Sequence, residues 1–290
     1  MHILVTGASG FSGACIARSL SLVGHRVTAL LGPSGRPAPL EATGPGLRYA
    51  RADLCSGEGL PTAYDVVVHA AARSAWPGVT VDDMVRDNVL ATRTLIAHAR
   101  NAGAGTFVLF SSLSVHGTVS APVVDEHAPL VDPGAYGLSK RLCEQMLEGV
   151  SGSLRSLSIR LPGVLGPGSV RNWITTSLAA AREGKDIRVA DPDSPFNNAV
   201  HVADLATFID CLIRRDWSGA EALPLGAGGQ ARAGTVAQML ADAGGRGSRV
   251  ITGGPPRRGY LISSRRAQEA YGYAPTEITE MIRRFIAENA

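Results

Sequence analysis

Aromatic side chains make up only 5% of this 290-residue chain and charged ones only 18%, with a net charge of +3. A charge this small and dispersed excludes the dense basic stripe, interleaved with aromatics, that nucleic-acid binding requires. The arginines at 257, 258, 265 and 266 come nearest to a patch and read as solvated surface. Cysteine is scarce: Cys15, Cys55, Cys143 and Cys211 are scattered, with no CxxC pair and no histidine at metal-ligand spacing. That pattern points to a reduced, cytoplasmic protein without structural zinc or any other bound metal. No apolar run reaches the roughly 18 residues of a membrane span. The stretch His2-Ile-Leu-Val leads directly into a glycine turn, so it reads as a first strand and not as a signal peptide.

What the chain does have is small residues, apolar runs and regular alternation. Its 45% hydrophobic content suits one large α/β domain plus a smaller lobe. Strands are expected at Ile3–Thr6, His25–Leu31, Arg48–Arg51, Asp65–His69, Thr106–Phe110 and Leu157–Arg160. Helical spacing covers residues 11–23, 81–101 and about 135–149, while the Gly/Pro-rich stretch 32–46 reads as an exposed loop. Strands alternating with helices at these lengths predict an α/β, Rossmann-type doubly wound parallel sheet. After Pro162 the pattern loosens, with a helix over 171–183 and a final amphipathic helix within 257–290. The expected division is a main domain of 1–162 plus 198–220 and a smaller C-terminal substrate lobe of 163–197 plus 221–290.

Two motifs carry chemistry. Gly7-x-x-Gly10-x-x-Gly13 lies between the first strand and the first helix, the context in which it binds a dinucleotide. Gly7 allows the tight turn, Gly10 admits a pyrophosphate, and Gly13 lets the helix pack on the sheet. The phosphates then rest at the positive end of that helix, beside Ser9, Phe11 and Ser12. An NAD site usually ends its second strand in a carboxylate, but here Leu31-Gly32 is followed by Ser34 and Arg36. Arg36 either pairs with a 2′-phosphate, which favours NADP over NAD, or is a solvated loop residue.

Tyr136 and Lys140 form the second motif, spaced i, i+4 on one helix face. A phenol, with a pKa of about 10, is a poor base at neutral pH. An adjacent ammonium stabilises the phenolate and brings it toward the working range. Ser111-Ser112 ends the preceding strand and supplies a hydroxyl that can orient a substrate carbonyl.

With these residues in view, the chain resembles the extended short-chain dehydrogenase/reductases of the NAD-dependent epimerase/dehydratase family, which includes UDP-galactose 4-epimerase. The likeness rests on TGASGFSG, Asp53-Leu54, His69-Ala-Ala-Ala72, Asn88, Ser111-Ser-Leu-Ser-Val-His-Gly117, YGLSK, Arg160-Leu-Pro-Gly-Val-Leu-Gly-Pro167 and His201-Val-Ala-Asp204. It implies that Asp53 and Leu54 flank the adenine, that Ala70, Ala71 and Ala72 line the cofactor cleft, and that Asn88 supports the active-site helix. It further implies a triad of Ser112, Tyr136 and Lys140, with Ser111, Pro162 and Val164 bordering the nicotinamide. Ser74, Ser114, His116 and Asn197 are the expected substrate contacts, although His116 reads equally as a packed ring. His201 and Asp204 are expected to pair structurally with one another.

Three departures bear on the substrate. Dehydratases of the family carry Asp-Glu after the catalytic hydroxyl; this chain has Leu113-Ser114. Sugar-nucleotide members commonly place Asn where Gly163 stands and Arg where Asn197 stands, both near the diphosphate. Arg171, or an arginine of the 257–258 pair, is positioned in sequence to compensate. The resemblance therefore implies an NAD(P)-dependent oxidoreductase acting on a keto or hydroxyl carbon of a nucleotide-activated sugar. A redox-neutral 4-epimerase is the alternative, and a non-catalytic dinucleotide-sensing regulator the second alternative. A homodimer built on the helices at 81–101 and 135–149 is expected by the same likeness.

Overall fold

Short apolar runs punctuated by glycine become the strands of a seven-stranded sheet. In the computed structural model, which describes residues 1–37, 44–254 and 258–290, Ile3, Leu4 and Val5 of the strand His2–Thr6 are fully buried. Backbone contacts divide the chain into two units. The first comprises Met1–Thr118, Leu130–Arg160 and Leu205–Leu223; the second comprises Val119–Pro129, Leu161–Asp204 and Pro224–Ala290.

The first unit holds the sheet. Its spatial order is Ala220–Pro224, Arg155–Leu161, Thr106–Ser112, Val66–His69, His2–Thr6, Arg26–Leu31 and Leu47–Arg51. His2–Thr6 pairs in parallel with Arg26–Leu31 on one side and with Val66–His69 on the other, bringing Thr6 opposite His69. Strand order reverses at that point, so the carboxyl ends of these two strands open a crevice suited to a ligand. This is a Rossmann-type doubly wound sheet. Phe107, Leu109, Leu95, Cys143 and Leu147 pack together in the core beneath it. Helices Phe11–Leu22 and Ala135–Glu148 flank it. The long helix expected over 81–101 is present, but its middle turn, Val85–Leu90, is wound as a π-helix between Val81–Met84 and Ala91–Asn101. Asp210, on the helix Val202–Arg214, takes His25 Nε2 at 2.6 Å.

The second unit has its own core of Leu165, Ile174, Leu178, Val236, Leu240, Met281 and Phe285. Helices Trp173–Arg182, Ala233–Gly244 and Ile278–Glu288 enclose it. Two boundaries differ from the sequence-based division. Residues 119–129 belong here because Val123–Val124 pairs with Leu261–Ile262, a contact across more than a hundred residues. Residues 198–204 belong here because Ala199–His201 pairs with Gly163–Leu165. Conversely, Ala220–Pro224 is an edge strand of the main sheet, a strand the sequence pattern did not reveal.

His201 and Asp204 do not pair with one another. His201 Nε2 meets Glu288 Oε2 at 2.9 Å, and Asp204 accepts from the Thr276 amide at 2.9 Å and its hydroxyl at 3.0 Å. Both tie the C-terminal segment to its own unit. Part of the loop expected over 32–46, residues 38–43, and the expected surface arginine at 257 lie outside the described residues. Among the described residues, no helix is long and apolar enough to cross a membrane.

Candidate active site

The crevice of the first unit is a cleft of about 470 Å³. Thr6, Gly7, Ser9 and Gly10 line it from the first turn, and Ala70, Ala71 and Ala72 from the end of the fourth strand. Gly7 sits at φ +73°, and a Cβ there would meet the Ala71 amide nitrogen at 2.7 Å. A Cβ on Gly13 would overlap the Gly7 carbonyl oxygen, so both glycines are required by the protein's own packing. Gly10 is different. Its backbone is extended (φ −99°), and its nearest obstacle lies at an ordinary 3.4 Å. What a side chain at Gly10 would occupy is cleft.

Phe11 and Ser12 open the helix behind this turn. No side chain caps that helix and no acidic residue stands in its first turn, so its leading amides and positive end remain uncompensated. An uncapped helix start facing a glycine-lined crevice fits a dinucleotide pyrophosphate. Leu31, Gly32, Pro33, Ser34 and Gly35 form the wall beyond the second strand, and none carries a charge. Arg51 braces that wall, its Nη1 donating to the carbonyls of Gly32 (3.4 Å), Pro33 (3.2 Å) and Gly35 (2.6 Å). Arg36 is exposed and is not among the lining residues. Asp53 and Leu54 do line the cleft, and the Asp53 carboxylate accepts from the Cys55 amide at 2.8 Å.

Beneath the cleft a polar chain fixes the strand ends. The His69 ring lies between Thr6 Oγ1 (2.7 Å) and Thr92 Oγ1 (3.0 Å), and Thr6 Oγ1 also accepts from the Ala71 amide at 3.2 Å. Burial pushes the imidazole pKa down to about 3, and the Lys140 ammonium adds to the effect. The ring is therefore neutral, and the Lys140 charge is felt at the switch point of the sheet.

Tyr136 and Lys140 project from the helix Ala135–Glu148, with Lys140 only 2% exposed. The residue between them in the motif explains their placement. A Cβ on Gly137 would overlap the Ser114 carbonyl, so only glycine lets the helix lie against the turn Leu113–His116. Ser112 caps that turn, its Oγ accepting from the Ser114 amide and donating to Ser114 Oγ, both at 3.1 Å. Gly137 thus brings the phenol-bearing end of the helix to the turn that carries the expected catalytic hydroxyl.

Asn88, in the π-helical turn, links the two halves of this arrangement. It accepts from the Arg73 amide at 2.7 Å, and its Nδ2 donates to the Arg73 carbonyl at 3.0 Å and to Ser139 Oγ at 2.9 Å. A single wide turn aims this amide at two elements simultaneously, a recurrent use of π-bulges. Ser74 is half-buried, one residue beyond the cleft-lining Arg73.

Ser111 does not face the cleft. Its hydroxyl donates to Glu144 Oε1 at 2.6 Å, within a buried network where Arg160 holds both oxygens of Glu144 at 3.1 and 2.9 Å. His116, 1% exposed, stacks its Nε2 3.5 Å from Arg160 Nη1, so it is the packed ring of the two readings. Glu144 was not anticipated, although its spacing from Tyr136 and Lys140 places all three on one face.

The remaining expected residues lie in the second unit. Pro162 is half-buried, and Val164 sits in a strand opposite Val200. Asn197 is 4% exposed and saturated: Nδ2 donates to the carbonyls of Ala227 and Ile262, and Oδ1 accepts from the Ile262 amide at 2.8 Å. It is a structural tie and has no capacity left for a substrate. A pocket of about 550 Å³ lies beside it, lined in part by Gly163, Asn172, Trp173, Phe196 and Arg258. Asn172 takes the space a side chain at Gly163 would fill, its Cβ lying 3.1 Å from that position.

Comparison with known proteins agrees with this geometry. The chain is 28% identical over 293 residues to a dTDP-glucose 4,6-dehydratase of Streptomyces griseus, covering 94% of this chain and 89% of that one. It is 30% identical over 175 residues to a UDP-glucose 4-epimerase of Azospirillum brasilense, covering 57% of this chain and 49% of the relative. Among solved structures, MoeE5 in complex with UDP-glucuronic acid and NAD superposes with a TM-score of 0.84 at 26% identity, over 99% of this chain and 98% of that one. The model of the NAD dependent epimerase/dehydratase family matches residues 3–223, and the chain belongs to that family of enzymes.

Proposed function

We propose that the chain is an NAD(P)-dependent oxidoreductase that reduces or oxidises a keto or hydroxyl carbon of a nucleotide-activated sugar. The observation that carries this reading is Gly137, which seats the Tyr136/Lys140 helix against the Ser112 turn while Lys140 acts electrostatically on His69 at the mouth of the sheet. A nicotinamide dinucleotide, when bound, supplies or takes up the hydride. Gly7, Gly10 and the start of the helix Phe11–Leu22 would hold its pyrophosphate. Tyr136 gives the alkoxide its proton in reduction and removes it in oxidation, and Lys140 favours the phenolate. Ser112 turns its hydrogen from Ser114 Oγ to the substrate oxygen, exchanging one hydrogen bond for another. The Ser114 amide keeps the hydroxyl aimed throughout.

Elimination of water has no support, because Leu113 and Ser114 replace the acid/base pair of dehydratases. NADP is the proposed cofactor: no carboxylate stands on the 31–35 wall to repel a 2′-phosphate, and Arg36 and Arg51 supply cations on the same side of the sheet edge. The four cysteines, none of which forms a disulfide among the described residues, support a cytoplasmic setting. Leu138 and Leu142, about half exposed on the active-site helix, support a homodimer through that helix.

The test is NADPH and NADH oxidation by dialysed protein against a panel of 4-keto sugar nucleotides, run in parallel with Tyr136→Phe. Expected are NADPH consumption and a loss of about 10²- to 10⁴-fold in kcat for the variant, with cofactor affinity retained. Tightly retained NAD, together with interconversion of epimers and no net redox change, would instead establish the 4-epimerase reading. The similarity to UDP-glucose 4-epimerase keeps that outcome in view.

A further inference from the structure

Two adjacent asparagines in the second unit have opposite fates. Asn197 spends its whole amide on the backbone of its own unit. Asn198 makes no such bond: its Oδ1 is buried and has no hydrogen-bond partner among the described residues. Leaving a buried acceptor unsatisfied costs about 1–3 kcal/mol, and buried polar atoms are nearly always paired. Asn198 lines the 550 Å³ pocket of the second unit. Around it stand the rings of Trp173 and Phe196, with centroids 5.4 Å apart and planes inclined by 60°, and the ring of Tyr260. Arg188 and Arg258 belong to the same lining, both exposed to solvent. Aromatic walls, two guanidinium groups and one unspent carbonyl-type acceptor match a planar heterocycle attached to an anionic tail.

We propose that Asn198, and not Asn197, is the specificity residue of this pocket, its Oδ1 accepting a hydrogen bond from the nucleoside part of the substrate. The inference rests on the reading of the substrate as a nucleotide-activated sugar. Uracil and thymine, once joined to ribose, each offer a single ring donor, the N3–H; the ribose hydroxyls are the other donors within one nucleoside. The bond formed on binding offsets the strain of an acceptor held dry in the free protein. A residue held for this purpose leaves a signature that a structural one does not: its removal weakens binding without destabilising the fold.

Isothermal titration of the full chain with UDP, dTDP and N3-methyl-UDP, for wild type and Asn198→Leu, Asn198→Asp and Asn197→Leu, tests this. Asn198→Leu is near-isosteric and deletes the acceptor. It is expected to weaken UDP binding ten- to a hundredfold while NADPH affinity is unchanged and the melting temperature of the free protein is unchanged or higher. Asn198→Asp keeps an acceptor and is expected to retain more UDP affinity than the leucine variant. Asn197→Leu is expected to lower the melting temperature. Weak binding of N3-methyl-UDP by wild type alone would place the bond at the base; equal binding of N3-methyl-UDP with weak dTDP binding would place it at the ribose 2′-hydroxyl. If Asn198→Leu melts lower than wild type, or binds UDP equally well, the proposal is overturned while the nucleotide reading stands. If no nucleotide binds wild type at all, the substrate reading fails and takes this inference with it.

Discussion

Three glycines in one motif do three different jobs, and only the packing around each tells them apart. Gly13 and Gly7 are demanded by backbone in contact with them, whereas Gly10 has ordinary van der Waals room and an extended backbone. Gly13→Ala is therefore expected to destabilise the fold by about 1–3 kcal/mol, the usual cost of overpacking. Gly10→Ala should leave the melting temperature within a degree or two and weaken cofactor binding at least tenfold. Thermal melts and a nicotinamide fluorescence titration on both variants separate the two roles. The motif itself was legible in the sequence, as were Tyr136 and Lys140, because their chemistry depends on spacing along the chain. The state of Ser111, His116 and Asn197 was not, because each depends on Glu144, Arg160 or Ile262, residues that the chain path brings alongside from elsewhere.

At the level of elements, the active-site helix is fixed from behind by a buried ion pair. Glu144 has no exposed side-chain surface and Arg160 only 5%; Ser111 and Arg141 complete the carboxylate's coordination. Such a pair adds little over an apolar core, but breaking it strands a charge. Glu144→Ala is expected to cost about 3–5 kcal/mol in urea unfolding, and Arg160→Met combined with Glu144→Leu should recover much of that loss. The helix over 81–101 was anticipated from its periodicity, yet its π-helical turn was not. A π turn inserts one residue per turn without altering the apolar spacing enough to show in sequence. The strand Ala220–Pro224 was missed for a related reason: it is partly exposed at the sheet edge and lacks a continuous apolar run.

For the molecule as a whole, two expectations concern pH and assembly. His69 titrates at about 3 in the folded protein, against roughly 6.5 in an unfolded chain. Below about pH 6.5 the unfolded chain therefore binds the extra proton first, and stability falls as pH drops through the window between these values. From pH 6.5 to 5 the wild type should lose about 2 kcal/mol more than His69→Gln, a difference read from urea unfolding at each pH. In assembly, Leu138 and Leu142 are 51% and 46% exposed on a helix whose other face is core. Leu138→Lys combined with Leu142→Lys is expected to convert a dimer to a monomer of intact fold, measured by light scattering. By itself the sequence determined the βα alternation, the glycine turn, the Tyr/Lys pair and the family, since all are encoded in spacings of a few residues. Tertiary structure alone decided the assignment of 119–129 to the second unit, the burial of Glu144 with Arg160, and the division of labour between Asn197 and Asn198. Those outcomes depend on which distant backbone groups arrive to satisfy each polar atom, and short-range pattern carries no record of that.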